Sequence, residues 1–279
     1  MSNFIEFGIK KSKVKKVYEK LSGNLYDTYM LSRYFKDIYN LQKIINKKIS
    51  FKDKLLHDNK DLKFNLINFI LVQKSKKNKF YEFGFTLYEK IFYFKFFNKF
   101  FVKKLNIDKI KFFGTDISDQ FIFFCQNFYK ELNIQVSKKV RKNLFKDAIF
   151  FSKGVTLLYE KKNMIYLKKI IKNCESGSFD ISLFLQKKIR LLETGYKLHY
   201  PSIKEFKSLI NRSDKFFYYR NKKKIGEKLY LEVIFGKKDI DKEINDNLLE
   251  ISKNKKIKNF RKHLSLNKKF YKLELASIK

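Results

Sequence analysis

Three residues near the middle of this 279-residue chain have the types and spacing of a small-ligand site. Glu82 and Gly84 fall in Phe80-Tyr-Glu-Phe-Gly-Phe-Thr86, and Asp116 falls in Lys111-Phe-Phe-Gly-Thr-Asp116-Ile-Ser118. A glycine just after a strand lets the backbone approach a ligand closely, and a carboxylate ending the next strand can accept from ribose hydroxyls. Pyrophosphate binders place several glycines in that first turn, whereas here Gly84 stands alone. The pattern therefore predicts a cofactor with a ribose and no phosphate.

Other polar groups could do chemistry beside them. Ser152 and Lys153 follow a predicted fourth strand, where substrate-facing groups belong. Asp147, at the start of that strand, and His57 and His199 are candidates for a general base, the imidazoles because they titrate near neutrality. Cys125 and Cys174 form no CxxC and no Cys/His cluster, which predicts neither a metal site nor a disulfide scaffold, and Cys125, in an apolar run, is expected as a core thiol.

Positioning these groups requires alternating strands and helices. Strands are predicted near 79–85, 110–115, 133–137, 147–151 and 179–185. Thr86 and Glu89 have the spacing of a capping box for the helix after the first strand. Ile91, Phe94, Phe97, Phe101 and Leu105 continue that helix as one apolar face, and Ser118 caps a helix running to about 128. Further helix is expected at 162–173, in the segment before Thr194-Gly195, and at 203–210. Residues 216–220 and 229–235 read as an antiparallel pair at a sheet edge. The organisation expected is a helical N-terminal appendage or cap over 1–78, a Rossmann-like α/β domain over 79–236, and a basic tail over 237–279. Within the appendage, Leu31, Tyr34, Phe35, Ile38, Leu41 and Ile45 mark a helical face. Residues 24–72 are expected beside the carboxyl ends of the strands.

Charge sets the other bound. Lys and Arg number 64 against 28 acidic residues, a formal charge of +36. Six of the 64 are Arg, while Ala occurs twice, Pro once and Trp never. Lys, Asn, Ile, Phe and Tyr come from A/T-rich codons, so base composition accounts for much of the charge. Phosphate recognition would favour the bidentate fork of Arg, and the basic residues are spread through every segment. Nucleic acid is thus possible but not favoured. Apolar runs such as 64–72 and 91–102 are too short or too interrupted to span about 30 Å of hydrocarbon. Met1–Lys20 has no apolar leader-like run, and a cytoplasmic chain is expected.

Strand-helix units followed by an antiparallel pair resemble the class I S-adenosylmethionine-dependent methyltransferases, and local strings agree in order. Glu82-Phe-Gly84 resembles the first motif, with one glycine where the family has several. Gly114-Thr-Asp116-Ile-Ser118 is similar to the second, Asp147–Tyr159 to the fourth-strand segment, and Ser176–Phe184 to the glycine turn and fifth strand. The resemblance implies S-adenosylmethionine as cofactor, bound by Glu82, Gly84, Thr86, Asp116, Ile117, Ser118 and Ser152, with Asp116 on the ribose in an exposed position. It implies methyl transfer to a small-molecule or sugar acceptor, with Asp147, Lys153 and His199 as catalytic candidates. A basic RNA-binding protein without activity, or an RNA methyltransferase on the same fold, is the alternative.

Overall fold

The structure is a computed structural model. It describes residues 59–84, 87–98, 101, 104–116, 122, 134–153, 163–191, 197–254 and 269–278. The elements in chain order are α1 (Asn59–Lys74), β1 (Lys79–Phe83), α2 (Leu87–Phe97), β2 (Lys111–Thr115), β3 (Ile134–Ser137), α3 (Lys142–Phe145), β4 (Ile149–Ser152), α4 (Asn163–Asn173) and β5 (Ser176–Leu183). They continue with β6 (Lys188–Leu191), β7 (Lys197–Tyr200), α5 (Ile203–Asn211), β8 (Phe216–Ile225), β9 (Lys228–Gly236), α6 (Ile240–Lys253) and β10 (Tyr271–Lys272).

Eight strands form one sheet in the order β10-β8-β9-β5-β4-β1-β2-β3, and β6 and β7 form a separate ribbon. β1 through β5 are mutually parallel, whereas β9, β8 and β10 join antiparallel. The chain winds outward from β1 to β3, then returns to place β4 on the other side of β1. That reversal is the switch point where open α/β sheets hold ligands, at the carboxyl ends of the strands. This is the Rossmann-like methyltransferase arrangement, a parallel core closed by an antiparallel pair.

Alternation along the strands divides the core in two. Phe80 meets Phe94 of α2 with centroids 5.7 Å apart, and Phe151 meets Phe64 of α1 at 6.1 Å. On the opposite face Tyr81 packs on Phe145 of α3 at 5.5 Å, and Phe179 on Phe206 of α5 at 6.3 Å. Both faces of the central strands are covered, so those strands read as nearly continuous apolar runs.

Four expectations change in the folded chain. The turn expected at 175–178 belongs to β5, which starts at Ser176. A Cβ on Gly177 would lie 2.5 Å from the Phe150 carbonyl and 2.9 Å from the Phe235 ring. The glycine serves close packing in a central strand. The helix expected before Thr194 is strand β6, whose residues are all exposed. The described parts of the expected tail, 237–254 and 269–278, are built into the fold: Ile240, Ile244, Leu248 and Ile251 bury one side of α6, and β10 extends the sheet. Finally, α1 falls inside the 1–78 appendage yet is a core helix. Its Phe64, Leu66, Ile67, Phe69, Ile70 and Val72 are fully or almost fully buried, as expected of a helix apolar nearly all round. It covers a sheet face, and Ser75 just beyond it donates to Glu175 Oε2 at 2.7 Å at the amino edge. The helix expected at 24–49, the capping side chains Thr86 and Glu89, and the helix expected from Ser118 lie outside the described residues.

Candidate functional site at the carboxyl edge

Gly84 directly follows β1 and takes φ 74°, a left-handed turn that a side chain would oppose. Its backbone N–H donates to the Thr115 carbonyl at 2.8 Å, which ties the turn to the last residue of β2. Asp116 comes next in the chain, and its own N–H donates to the Ser137 carbonyl at 3.4 Å. Glycine turn and carboxylate are therefore held side by side at the switch point. Beneath them the buried Tyr81 hydroxyl donates to Thr115 Oγ1 at 2.9 Å, clamping β1 to β2. Burial raises the Tyr81 pKa, so the hydroxyl stays a donor.

Asp116 departs from expectation in one respect. It is 9% exposed, not open to solvent, at the end of β2 where β3 pairs alongside. Ser152 ends β4, two strands from Asp116 across β1, and is fully buried. Among the described residues its Oγ has no hydrogen-bond partner, which leaves a donor-acceptor group uncommitted near the switch point. Lys153 follows it and is half-buried.

The other sequence candidates are placed differently, and one of them, Asp147, lies away from this edge. Glu82 is 1% exposed and turned into the α1/α2 side of the core, with its Oε1 3.6 Å from Lys90 Nζ. Lys90 is itself 2% exposed and sits over the Phe151 ring at 4.6 Å from the centroid. This engages Glu82 Oε1 with Lys90, between the carboxyl end of β1 and α2. Asp147 precedes β4 and so stands at the amino edge, a strand length from Ser152, which removes it from the catalytic candidates. His199 belongs to the β6–β7 ribbon opposite Ile189. The ribbon returns to the sheet where Phe184 N–H donates to the Pro201 carbonyl, just past the carboxyl end of β5. His199 Nε2 is buried and has no hydrogen-bond partner among the described residues. Thr86, Ile117, Ser118 and His57 lie outside the described residues.

Two polar groupings were not anticipated. Lys63 and Arg220 both pair with Glu232, the Arg220 Nε at 3.1 Å from Oε2, in a buried cluster on the α1 side of the sheet. Nearby on that face Tyr230 Oη donates to Asp180 Oδ2 at 3.1 Å. Period-two alternation could have flagged Asp180 and Glu232 as inward-facing, but only strand pairing brings their partners across. Among the described residues no group of three His, Cys, Asp or Glu side chains could hold a metal ion. No described helix is long and apolar enough to cross a membrane.

No family model matches the chain, and no curated protein matches it. Several solved structures align at low identity. The N-terminal domain of EvdMO1 with SAH bound aligns at TM-score 0.45 and 7% identity, over 64% of this chain and 81% of its own. Magnesium protoporphyrin IX methyltransferase from Synechocystis PCC 6803 with bound SAH aligns at 0.41 and 9%, over 81% and 99% respectively. An O-methyltransferase from a Brevibacillus brevis trans-AT PKS multienzyme, in complex with S-adenosyl-L-homocysteine, aligns at 0.39 and 12%, over 85% and 82%. Likeness of this degree adds nothing to the strand order, which carries the fold by itself.

Proposed function

We propose that this protein binds S-adenosylmethionine at the carboxyl edge and transfers its methyl group to a small-molecule acceptor. The observation that carries the reading is the Gly84 N–H to Thr115 bond, which sets a left-handed glycine turn beside Asp116 at the switch point. The residues present fit such a cofactor. Gly84 offers backbone without a Cβ, Asp116 offers two acceptor oxygens to a vicinal diol, and Ser152 Oγ is an uncommitted polar atom nearby. The bound cofactor would supply an electrophilic methyl on a sulfonium. The protein's part is to align an acceptor and exclude water, and to take a proton if the nucleophile is a hydroxyl. Among the described residues His199 is the remaining candidate for that proton, with Lys153 as a substrate-facing group.

A small acceptor is favoured over RNA by the spread of charge. Exposed lysines occupy the β8–β9 hairpin (Lys222, Lys223, Lys224) and also the amino edge (Lys76, Lys77, Lys172), so the site is not marked by one basic face. Titration calorimetry with S-adenosylmethionine tests the proposal on the wild type and on Asp116→Asn, which keeps the side-chain shape. The expected result is saturable binding that weakens about tenfold to hundredfold in the variant, the scale of hydrogen bonds to a charged group. Absence of binding at millimolar cofactor, or equal affinity in a variant that melts like the wild type, would overturn it.

A further inference from the structure

The amino edge of the sheet, opposite Gly84 and Asp116, carries a second concavity. A cavity of about 500 Å³ opens between the C-terminal ends of α1 and α4, the entries to β4 and β5, and the start of α6. Its volume falls within the range of roughly 300–1,000 Å³ usual for small-ligand sites. Ile70, Leu71, Ile240 and Ile244 give it apolar lining. Lys74, Lys76, Lys77, Lys172, Lys215 and Lys237 supply six cationic groups, against three carboxylates from Asp147, Glu175 and Glu243.

The three carboxylates offset only half of the six cationic charges at this rim. Glu243 is taken by Lys237 at 2.6 Å, and Glu175 accepts from Ser75 at 2.7 Å. Asp147 acts electrostatically on Lys79, whose ammonium also donates to the Asn143 carbonyl at 2.7 Å. Lys74 and Lys172 lie in the last turns of α1 and α4, where they answer the helix dipoles. That leaves Lys76, Lys77 and Lys215 converging on one cavity from separate segments. Among the described residues none of these three has an ion-pair partner.

The backbone is also unusual here. The described non-glycine residues with positive φ are Asn78 (47°), Asp147 (58°) and Asp239 (64°). They occupy the turns into β1, β4 and α6; Asp147 lines the cavity, and Asn78 and Asp239 are next in the chain to the lining residues Lys77 and Ile240. Asn and Asp tolerate the left-handed region better than other side chains, and these turns shape the cavity's rim.

We propose that the amino-edge cavity binds a nucleoside di- or triphosphate, with its phosphates on Lys76, Lys77 and Lys215 and its base against the isoleucine lining. The surplus of ammonium groups suits more than one phosphate, the apolar wall suits a planar base, and the enclosed volume suits one small ligand and not a strand. This site is independent of the carboxyl-edge reading, and either can fail alone.

The test is calorimetric titration of the full chain at physiological ionic strength with ATP, ADP and inorganic tripolyphosphate. ATP should bind saturably to a single class of sites, and tripolyphosphate should bind more weakly. The pair Lys76→Ala with Lys77→Ala, both exposed, should weaken ATP about tenfold, and Lys215→Ala should weaken it in the same direction. The control pair Lys222→Ala with Lys223→Ala, on the β8–β9 hairpin, removes equal charge and should leave affinity unchanged. The site is overturned if ATP shows no saturable binding, if the lining variants bind like wild type, or if the control loses as much. Equal affinity for tripolyphosphate would overturn the nucleoside assignment.

Discussion

Glu82 and Lys90 face each other at 3.6 Å with 1% and 2% of their side chains exposed. A charge pair so deeply buried is costly to break one side at a time, because the partner is left charged in a low dielectric. The pair spans β1 and α2, the two elements that hold the Gly84 turn between them.

Replacing Lys90 by Met should therefore destabilise the fold by about 3–5 kcal/mol, read as a lowered denaturant midpoint. Adding Glu82→Gln to that variant should recover much of the loss. A double variant no better than Lys90→Met alone would show that the lysine's contact with the Phe151 ring, not its charge pairing, is what matters.

Gly177 should tolerate no side chain. With Phe150 backbone and the Phe235 ring both closer than 3 Å to a built Cβ, Gly177→Ala overpacks a central strand. A cost of about 1–3 kcal/mol is expected in chemical denaturation. Gly226, at φ 54° with open space around it, should lose only the smaller cost of a strained turn.

Gly84→Ala should couple stability to ligand affinity. A Cβ at φ 74° costs about 1–2 kcal/mol of backbone strain, and relief of that strain would move the turn away from Thr115. Melting temperature and S-adenosylmethionine affinity should fall together, whereas Asp116→Asn should lower affinity more than stability.

The start of α5 should show an acid-dependent loss of stability. Ser202 Oγ accepts from the Glu205 N–H at 3.2 Å, and the Glu205 carboxylate accepts from the Ser202 N–H at 2.9 Å and pairs with Lys187 at 2.6 Å. Partial burial pushes the Glu205 pKa up, but the bonds from Lys187 and Ser202 outweigh it and the carboxyl ends below its usual value. Because the folded value is the depressed one, the stabilisation is complete above the unfolded value, about 4.3, and is lost as pH falls through the folded one. Melting curves of wild type and Glu205→Gln should differ near neutrality and converge in acid. Ser202→Ala should cost about 1 kcal/mol, the usual value of a lost cap.

Much of this protein was determined by the sequence alone. Gly84 and Asp116 are readable as a turn glycine and a strand-end carboxylate because both signals are local: one depends on backbone freedom, the other on its place after Lys111–Thr115. Strands β1, β2, β4, β8 and β9 and helices α4 and α5 follow from runs and periods within a few residues. What only the tertiary structure decided depends on neighbours distant in sequence. Ser176-Gly177-Ser178 looks like a turn until Phe150 and Phe235 flank it, and α6 looks like a polar tail until it packs beside α1 and β9 and its Ile244 and Leu248 are buried. Glu82 looks like a ligand-facing carboxylate because position along a strand is legible while face is not, and Lys90 on the next helix settles which face it takes. Asp147 and Ser152 are five residues apart in one segment, and strand direction alone sends them to opposite edges of the sheet. Local propensity fixes an element, but the partner of a buried charge or of a missing Cβ is set by the packing of segments that the sequence leaves far apart.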